Sequence, residues 1–171
     1  MKPAPRLLDV PISGLYPITL GEANDFLIKV EHDLGPVHRP FRSEAFGLEL
    51  DDRLIAVAVS ASIVHGPVAG YERQEVVELA RLGWTERWVG RIMLRYWREV
   101  CGPRWANWPV KAAVSYSNRR HTGDLYRFDG WRKVRDDAGS SGGGAWSRKR
   151  YATEAAFGKK TLWCWRYEEA A

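Results

Sequence analysis

Two apolar stretches of strand length, Val76 to Gly83 and Val110 to Tyr116, flank the strongest helical pattern of the chain. That pattern, Trp88 to Val100, places six large side chains on one continuous face: Val89, Ile92, Met93, Tyr96, Trp97 and Val100. Gly102-Pro103 ends the helix, and the strand that follows is apolar on both faces, as a central strand should be. The chain is therefore predicted to fold around a mixed sheet.

The other segments extend this alternation. In order they are a strand (Leu15 to Thr19), a helix (Leu20 to Glu31), two strands joined by a polar turn (Phe46 to Leu50, Leu54 to Ser62), a helical turn (Asp124 to Phe128), a strand (Trp131 to Arg135), a flexible Gly/Ser-rich loop (Asp136 to Arg148) and a last strand (Thr161 to Tyr167). The chain of 171 residues fits one domain. We expect a single α/β (α+β) domain over residues 1–171, with six or seven strands and helices on both faces.

The composition excludes several classes of protein. No run of 18 or more apolar residues could span a bilayer, and the first residues lack the pattern of a secretory signal, so we expect a cytoplasmic protein with no membrane partner. Cys101 and Cys164 have neither zinc-site nor disulfide-framework spacing. Residues 1–85 carry a net charge of −4, from eight basic and twelve acidic side chains, whereas residues 86–171 carry +9, from eighteen and nine.

Basic side chains and tryptophans occur together in the second half, which holds eight of the nine tryptophans, each within three residues of an Arg or Lys. Phosphate neutralisation and base stacking require this mixture, which indicates a nucleic-acid partner. The alternative is that the tryptophans fill the core while arginine stems pack across it. The candidate contacts are Arg119, Arg120, His121, Trp146, Arg148, Lys149 and Arg150.

Two motifs resemble the GNAT acyltransferase superfamily. Arg87 to Ile92 resembles its Arg/Gln-x-x-Gly-x-Gly/Ala motif, which binds the pyrophosphate of coenzyme A, although Ile92 departs from Gly/Ala. A second series after the fifth strand is similar to the family's Asn, Leu-Tyr helix and Gly-aromatic corner: Asn118, Leu125, Tyr126, Gly130 and Trp131. The resemblance implies a sheet splayed between Val76 to Gly83 and Val110 to Tyr116, with an acyl donor such as acetyl-coenzyme A at Arg87, Gly90, Leu82 and Asn118.

The resemblance also implies two catalytic roles. Tyr126 stands where the family has a tyrosine that protonates the departing thiolate, and Glu78 lies on the strand that often supplies a carboxylate base. From the residues alone, Glu78 shares a strand face with apolar neighbours, where burial strengthens a carboxylate as a base. The alternatives are a Tyr126 packed under the sheet, a Glu78 paired with Arg53 or another neighbour, and a Gly90 that only permits close packing.

A narrower resemblance, to the phage Mom-type proteins, is carried by Glu31 to Arg39, Trp146 to Arg150 and Gly158 to Trp163. These GNAT-like proteins modify adenine in DNA against restriction. The resemblance implies a metal ion, such as iron, at His32 and His38, with Asp124 completing the site, and a catalytic role for His32 and Asp124. Solvated histidines and a simple helix-capping role for Asp124 are the alternatives.

These observations favour a GNAT-fold transferase that modifies a nucleobase amine in double-stranded phage DNA, inside the host cell. The first alternative is an acetyl-coenzyme A dependent N-acetyltransferase of a small amine or a protein. The second is a non-catalytic nucleic-acid-binding protein on the same scaffold. The oligomeric state, including a dimer, stays open.

Overall fold

A computed structural model of the chain describes residues 13–39, 42–64, 66–118, 120–138 and 159–167. Within these ranges seven strands form one sheet, in the order β1-β2-β3-β4-β5-β7-β6. The strands are β1 (Ser13–Ile18), β2 (Ser43–Leu50), β3 (Arg53–Ala61), β4 (Val76–Trp84), β5 (Ala112–Asn118), β6 (Arg132–Ala138) and β7 (Lys160–Arg166). The helices are α1 (Leu20–Lys29), α2 (Arg87–Tyr96) and α3 (Asp124–Asp129). The predicted mixed α/β architecture is confirmed.

The helices cover opposite faces of the sheet. On one face, α2 buries Val89, Met93 and Leu94 against strand residues that include Ala56 and Ala58. On the other face, Ala23 and Leu27 of α1 pack against Val57 and Val59 of β3. The alternation of β3 side chains between the two faces therefore ties both layers to one strand.

The first helix begins where its sequence provides a complete cap. The Thr19 hydroxyl accepts a hydrogen bond from the Glu22 amide at 3.1 Å, and the Glu22 carboxylate accepts one from the Thr19 amide at 2.8 Å. This reciprocal pair satisfies two backbone donors that the first turn leaves without helical partners. It fixes the start of α1 at the predicted residue, Leu20.

The centre of the sheet is splayed. β4 and β5 are parallel and paired only from Val76 to Leu79 and from Ala112 to Ser115. In the pairing of β3 with β4, Val59 faces Arg81 and Ser60 faces Leu79, so Ala80 is an extra residue. Such a bulge bends a strand and breaks its pairing locally. Beyond Leu79 the two strands separate, as predicted, and every other neighbouring pair in the described sheet is antiparallel.

Several predicted boundaries shift. The α-helix of the long central segment begins at Arg87 and ends at Tyr96, and Trp97–Cys101 continue it as a π-helical turn. The Gly/Ser-rich loop was expected from Asp136, but residues 136–138 are the end of β6, where the pairing of Ala138 with Lys160 of β7 extends the strand into a polar sequence. Residues 139–148 of that loop lie outside the described residues. Among the described helices, none is long and apolar enough to cross a membrane.

Candidate active-site cleft

The open part of the sheet forms a cleft of about 1250 Å³. Its walls come from both faces of the sheet. One wall, which we call the helical wall, consists of α2 and α3 residues that include Arg87, Arg91 and Tyr126. The opposite wall, which we call the loop wall, consists of residues 30–34, Arg81, Tyr116, Arg120 and His121. The cleft thus passes through the sheet and can admit one reactant from each face.

Tyr126 lies at the point where the strands part. Its hydroxyl is 2.9 Å from Ser115 Oγ, and Ser115 Oγ donates to the carbonyl of Leu79 at 3.0 Å. Because serine has one hydroxyl proton, already given to Leu79, the hydrogen bond between the two side chains must be donated by Tyr126. The phenol is therefore fixed by the last paired residues of β4 and β5.

Aromatic packing holds the Tyr126 ring in this position. The ring stacks on Trp163 with a centroid distance of 5.5 Å and meets the edge of Trp131 at 5.4 Å. Burial raises the pKa of Tyr126, with the Ser115 hydrogen bond opposing this effect. The phenol consequently carries its proton at neutral pH.

Two glycines shape the short helix that carries Tyr126. Gly130 ends α3 in the left-handed conformation, with a φ of 90°, as the sequence predicted. Gly123 precedes the helix with a φ of 73°, and a side chain there would collide with the Trp163 ring. Both positions therefore need the backbone freedom of glycine, and position 123 also needs its small size.

The helical wall differs from the motif that it resembles. Arg87 to Ile92 lie within α2 itself rather than in a preceding loop. A Cβ atom on Gly90 would lie 2.9 Å from the Trp84 ring, so Gly90 serves the close packing of helix on strand. Arg87 and Ile92 line the cleft, together with Leu82 of β4. The wall thus offers a helix N-terminus and an arginine side chain beside an apolar surface.

His32 lines the cleft but is poorly suited to bind a metal. Its Nδ1 accepts a hydrogen bond from the Leu34 amide at 3.2 Å, so its Nε2 carries the proton that is donated to Leu82 O at 3.1 Å. Burial, and next the charge of Arg81, lower the pKa of His32 to about 4. With both ring nitrogens engaged, His32 is a neutral structural side chain.

The predicted metal site has no support in the described part of the chain. No group of three or more His, Cys, Asp or Glu side chains there could hold a metal ion. Asp124 forms an ion pair with Arg127 in the first turn of α3, which agrees with the simpler capping interpretation. The expectation that His32, His38 and Asp124 share a metal therefore gains no support, because His32 and Asp124 each bond to nearby partners.

Glu78 is buried, with 5% of its surface exposed, and it is paired. Its two carboxylate oxygens accept hydrogen bonds from Arg39 at 2.7 and 3.0 Å. The ion-pair alternative was therefore correct in kind, with Arg39 rather than Arg53 as the partner. Glu78 is not among the side chains that line the cleft, so its expected role as the base loses its geometric support.

An Asp–His pair spans the mouth of the cleft. His121 Nε2 lies 2.7 Å from Asp33 Oδ2, which connects the loop after α1 to the loop after β5. Both side chains are substantially exposed, His121 at 62% and Asp33 at 42%. Nearby, Asn118 Oδ1 accepts a hydrogen bond from the Arg120 amide at 3.1 Å and shapes the same loop.

Five of the seven predicted nucleic-acid contacts lie outside the described residues: Arg119, Trp146, Arg148, Lys149 and Arg150. The other two, Arg120 and His121, line the cleft. The described residues therefore assemble no separate basic face from this set.

Sequence reasoning missed four residues of the site: Arg39, Arg81, Asp33 and Ser115. Arg81 donates to the carbonyls of Leu34 and Gly35, more than forty positions away in the chain. No local pattern predicts such a contact. Ser115, a polar residue within an apolar central strand, was a signal that could have been read.

Known proteins resemble this chain in fold. No protein-family model and no curated protein matches it. A solved IAA acetyltransferase from Bacillus cereus is 13% identical, with a TM-score of 0.60 over 91% of this chain and 100% of that one. The ribosomal-protein-S18-alanine N-acetyltransferase from Escherichia coli is 11% identical, with a TM-score of 0.62 over 94% and 97%.

A further structure, a GNAT family acetyltransferase from Elizabethkingia anophelis with acetyl-CoA bound, is 13% identical, with a TM-score of 0.54 over 91% and 98%. The chain therefore has the GNAT acetyltransferase fold. These comparisons give no support to the narrower resemblance to phage DNA-modification proteins.

Proposed function

We propose that this protein is an N-acyltransferase that moves an acetyl group, or a similarly small acyl group, from acetyl-coenzyme A to an amine. The single observation that carries the proposal is the position of Tyr126, a protonated phenol fixed at the vertex of a cleft that crosses the sheet. The GNAT fold supports it, since the solved structures of that fold named above are acetyltransferases.

The residues of the helical wall fit an anionic thioester donor. The N-terminus of α2 opens beside the cleft, where amides of the first turn and the helix dipole favour phosphate groups. Arg87 and Arg91 line the same wall and add positive charge. Trp88 and Phe128 line it too, with 52% and 63% of their surfaces exposed, and offer flat apolar area to an adenine ring.

When bound, acetyl-coenzyme A would supply an acyl group activated as a thioester. Tyr126 would then hold a proton for the leaving sulfur. Rotation of its hydroxyl away from Ser115 directs this proton into the cleft while stacking on Trp163 keeps the ring in place. A positioned acid of this kind contributes a rate factor of about 10²–10⁴.

The proton of the incoming amine needs an acceptor, and His121 is the group suited to it. Its Nε2 is held by Asp33, and its Nδ1 has no hydrogen-bond partner among the described residues. An aspartate on one ring nitrogen fixes the tautomer and leaves the other nitrogen able to take a proton. In contrast, both oxygens of Glu78 and both nitrogens of His32 are already engaged.

Modification of DNA, the function first favoured from the sequence, is not adopted. It rested on the basic, tryptophan-rich second half of the chain and on the resemblance to phage DNA-modification proteins. Most of the candidate DNA contacts lie outside the described residues, and the solved structures give that resemblance no support. The acetyltransferase alternative agrees better with the solved structures of the same fold.

The test is transfer itself. Purified protein is incubated with acetyl-coenzyme A and a panel of primary amines, and the release of free thiol is followed while mass spectrometry detects acylated amine. We expect thiol and acylated amine to appear in equal amounts with at least one amine. Thiol release that is independent of amine would show hydrolysis only and would contradict the proposal.

A matched pair of variants connects the activity to the cleft. Tyr126→Phe removes the acid, whereas Tyr96→Phe removes the same hydroxyl from an exposed position on α2, where 43% of the surface is accessible. We expect the first variant to lose transfer and the second to retain it. Equal activities in the two variants would show that the hydroxyl of Tyr126 takes no part in the reaction.

A further inference from the structure

Arg81 has an unusual electrostatic environment on the loop wall of the cleft. Its guanidinium donates to three backbone carbonyls, those of Gly35 at 2.8 Å, Ala80 at 2.7 Å and Leu34 at 3.0 Å. A guanidinium has five N–H groups, so two remain without a partner among the described residues. No described carboxylate forms an ion pair with this side chain.

The nearest carboxylate cannot serve as the counter-charge. Both oxygens of Glu78 are occupied by Arg39, which forms a bidentate pair with it. Arg39, Arg81 and Lys160 interact with one another and together carry three positive charges near the one negative charge of Glu78. Burial, and next the repulsion from Arg39, lower the pKa of Arg81 to about 10, so Arg81 keeps its charge at neutral pH.

A half-buried cation without a counter-ion is costly, and a ligand that supplies one negative charge offsets this cost. Arg81 lines the cleft, so such a ligand can reach it. Its partner in β3 is Val59, which packs on the α1 side of the sheet, opposite the helical wall. The negative charge therefore belongs to the reactant that enters from the loop wall.

We infer that Arg81 forms an anion-binding subsite for the acceptor, and that the acceptor is an amine that also carries a carboxylate. The inference rests on the proposed acyltransfer and specifies its second substrate. A carboxylate is assigned because its two oxygens can accept hydrogen bonds from the two remaining N–H groups of the Arg81 guanidinium. In the reaction the amine nitrogen forms the bond to the acyl carbon, the carbon–sulfur bond breaks, His121 accepts the amine proton and Tyr126 protonates the sulfur.

A purely structural role for Arg81 is the competing explanation, since its bonds to Leu34 and Gly35 fasten the loop wall to β4. The two explanations differ in substrate discrimination. A structural arginine affects all acceptors alike, whereas an anion subsite affects only those that bear the anion.

The experiment compares ω-amino acids of two to six carbons with their carboxamides, measured by kcat/KM for thiol release. The wild type should favour the carboxylates by about tenfold or more, the value of one hydrogen bond to a charged group. In Arg81→Gln the ratio should fall to near one, and because it compares two acceptors on the same protein, any structural effect common to both series cancels. Arg91→Gln, on the helical wall, should raise the KM for acetyl-coenzyme A and leave the ratio unchanged.

A wild-type ratio near one, or a ratio that survives in Arg81→Gln, would overturn the inference. A preference for aminoalkyl phosphates over both series would overturn the carboxylate assignment. If Arg81→Gln does not fold, the wild type still decides: butyrate should inhibit competitively against the amine and not against acetyl-coenzyme A, and any other pattern contradicts the subsite.

Failure of the proposed acyltransfer can be distinguished from failure of the anion subsite. If no amine is acylated, acyltransfer fails, and the subsite is then tested by melting temperature alone. 4-Aminobutyrate should stabilise the wild type, because a ligand of the folded state raises its stability, and should not stabilise Arg81→Gln. Equal responses of both proteins, or none in the wild type, would refute the subsite.

Discussion

The two halves of the central strand pair use their residues differently. From Val76 to Leu79, β4 is hydrogen-bonded to β5, and Val76, Val77 and Leu79 are at most 2% exposed. From Ala80 onward β4 is no longer paired with β5, and it presents Arg81 and its own backbone to the cleft. The closed half provides the stability of the sheet, and the open half presents polar groups. The bulge at Ala80 therefore marks the boundary between the half of β4 that stabilises the sheet and the half that lines the cleft.

The largest effect is expected at the boundary between the halves. Tyr126→Phe keeps the ring on Trp163 but removes the phenolic proton, so kcat should fall about 10³-fold, or about 4 kcal/mol of barrier. The KM for acetyl-coenzyme A should change little. Steady-state thiol release measures both constants. A variant that keeps its kcat while melting at the wild-type temperature would remove Tyr126 from the chemistry.

In the closed half, substitution should affect folding instead. Glu78→Gln leaves the Arg39 charge without its partner, and loss of one member of a buried pair costs about 3 kcal/mol. Denaturant unfolding measures this loss, and kcat should stay within about threefold. The double variant Arg39→Gln/Glu78→Gln should be less destabilised than the sum of the single variants. A large fall in kcat without loss of stability would contradict this structural role and would indicate that Glu78 acts as the base.

On the loop wall, His32 connects stability to pH. Its folded-state pKa of about 4 lies below the ordinary value of 6.5, so below pH 6.5 the unfolded chain binds a proton that the folded chain does not. Stability from this residue is complete above pH 6.5 and declines as the pH falls toward 4. Between pH 6.5 and 5 the decline should be about 2 kcal/mol. Unfolding free energies of the wild type and His32→Gln at both pH values test this, and parallel pH dependences would contradict it.

The smallest effect is expected at the mouth of the open half. His121→Gln removes the proposed proton acceptor, and kcat/KM should fall about tenfold at neutral pH, because free amine in solution partly replaces the base. Asp33→Asn should give a smaller loss. Steady-state rates with a varied amine at fixed pH are the deciding measurement for both variants. An unchanged kcat/KM in His121→Gln would exclude this residue as the base.

The sequence was informative where structure is local. Strand and helix periods predicted β4, α2 and β5, and Gly130 marked the end of α3, because each of these features depends on residues a few positions apart. The parallel pairing of β4 with β5 was implied by the family resemblance instead. The loop wall was not predictable for the opposite reason. Its contacts join residues distant in the chain: 47 positions separate Leu34 from Arg81, and 88 separate Asp33 from His121. The bonds of His32 to Leu34 and Leu82 were not predictable either, because the spacing of His32 and His38 carries no information about which groups each side chain finally bonds.

Hydrogen exchange followed by mass spectrometry, with and without acetyl-coenzyme A, tests most directly whether the open half is the donor site. We predict slower exchange in peptides that cover residues 80–90 and 116–126, and unchanged exchange in β2 and in the paired residues 76–79 and 112–115. Unchanged exchange along the cleft at saturating acetyl-coenzyme A, or protection confined to other parts of the chain, would contradict the account.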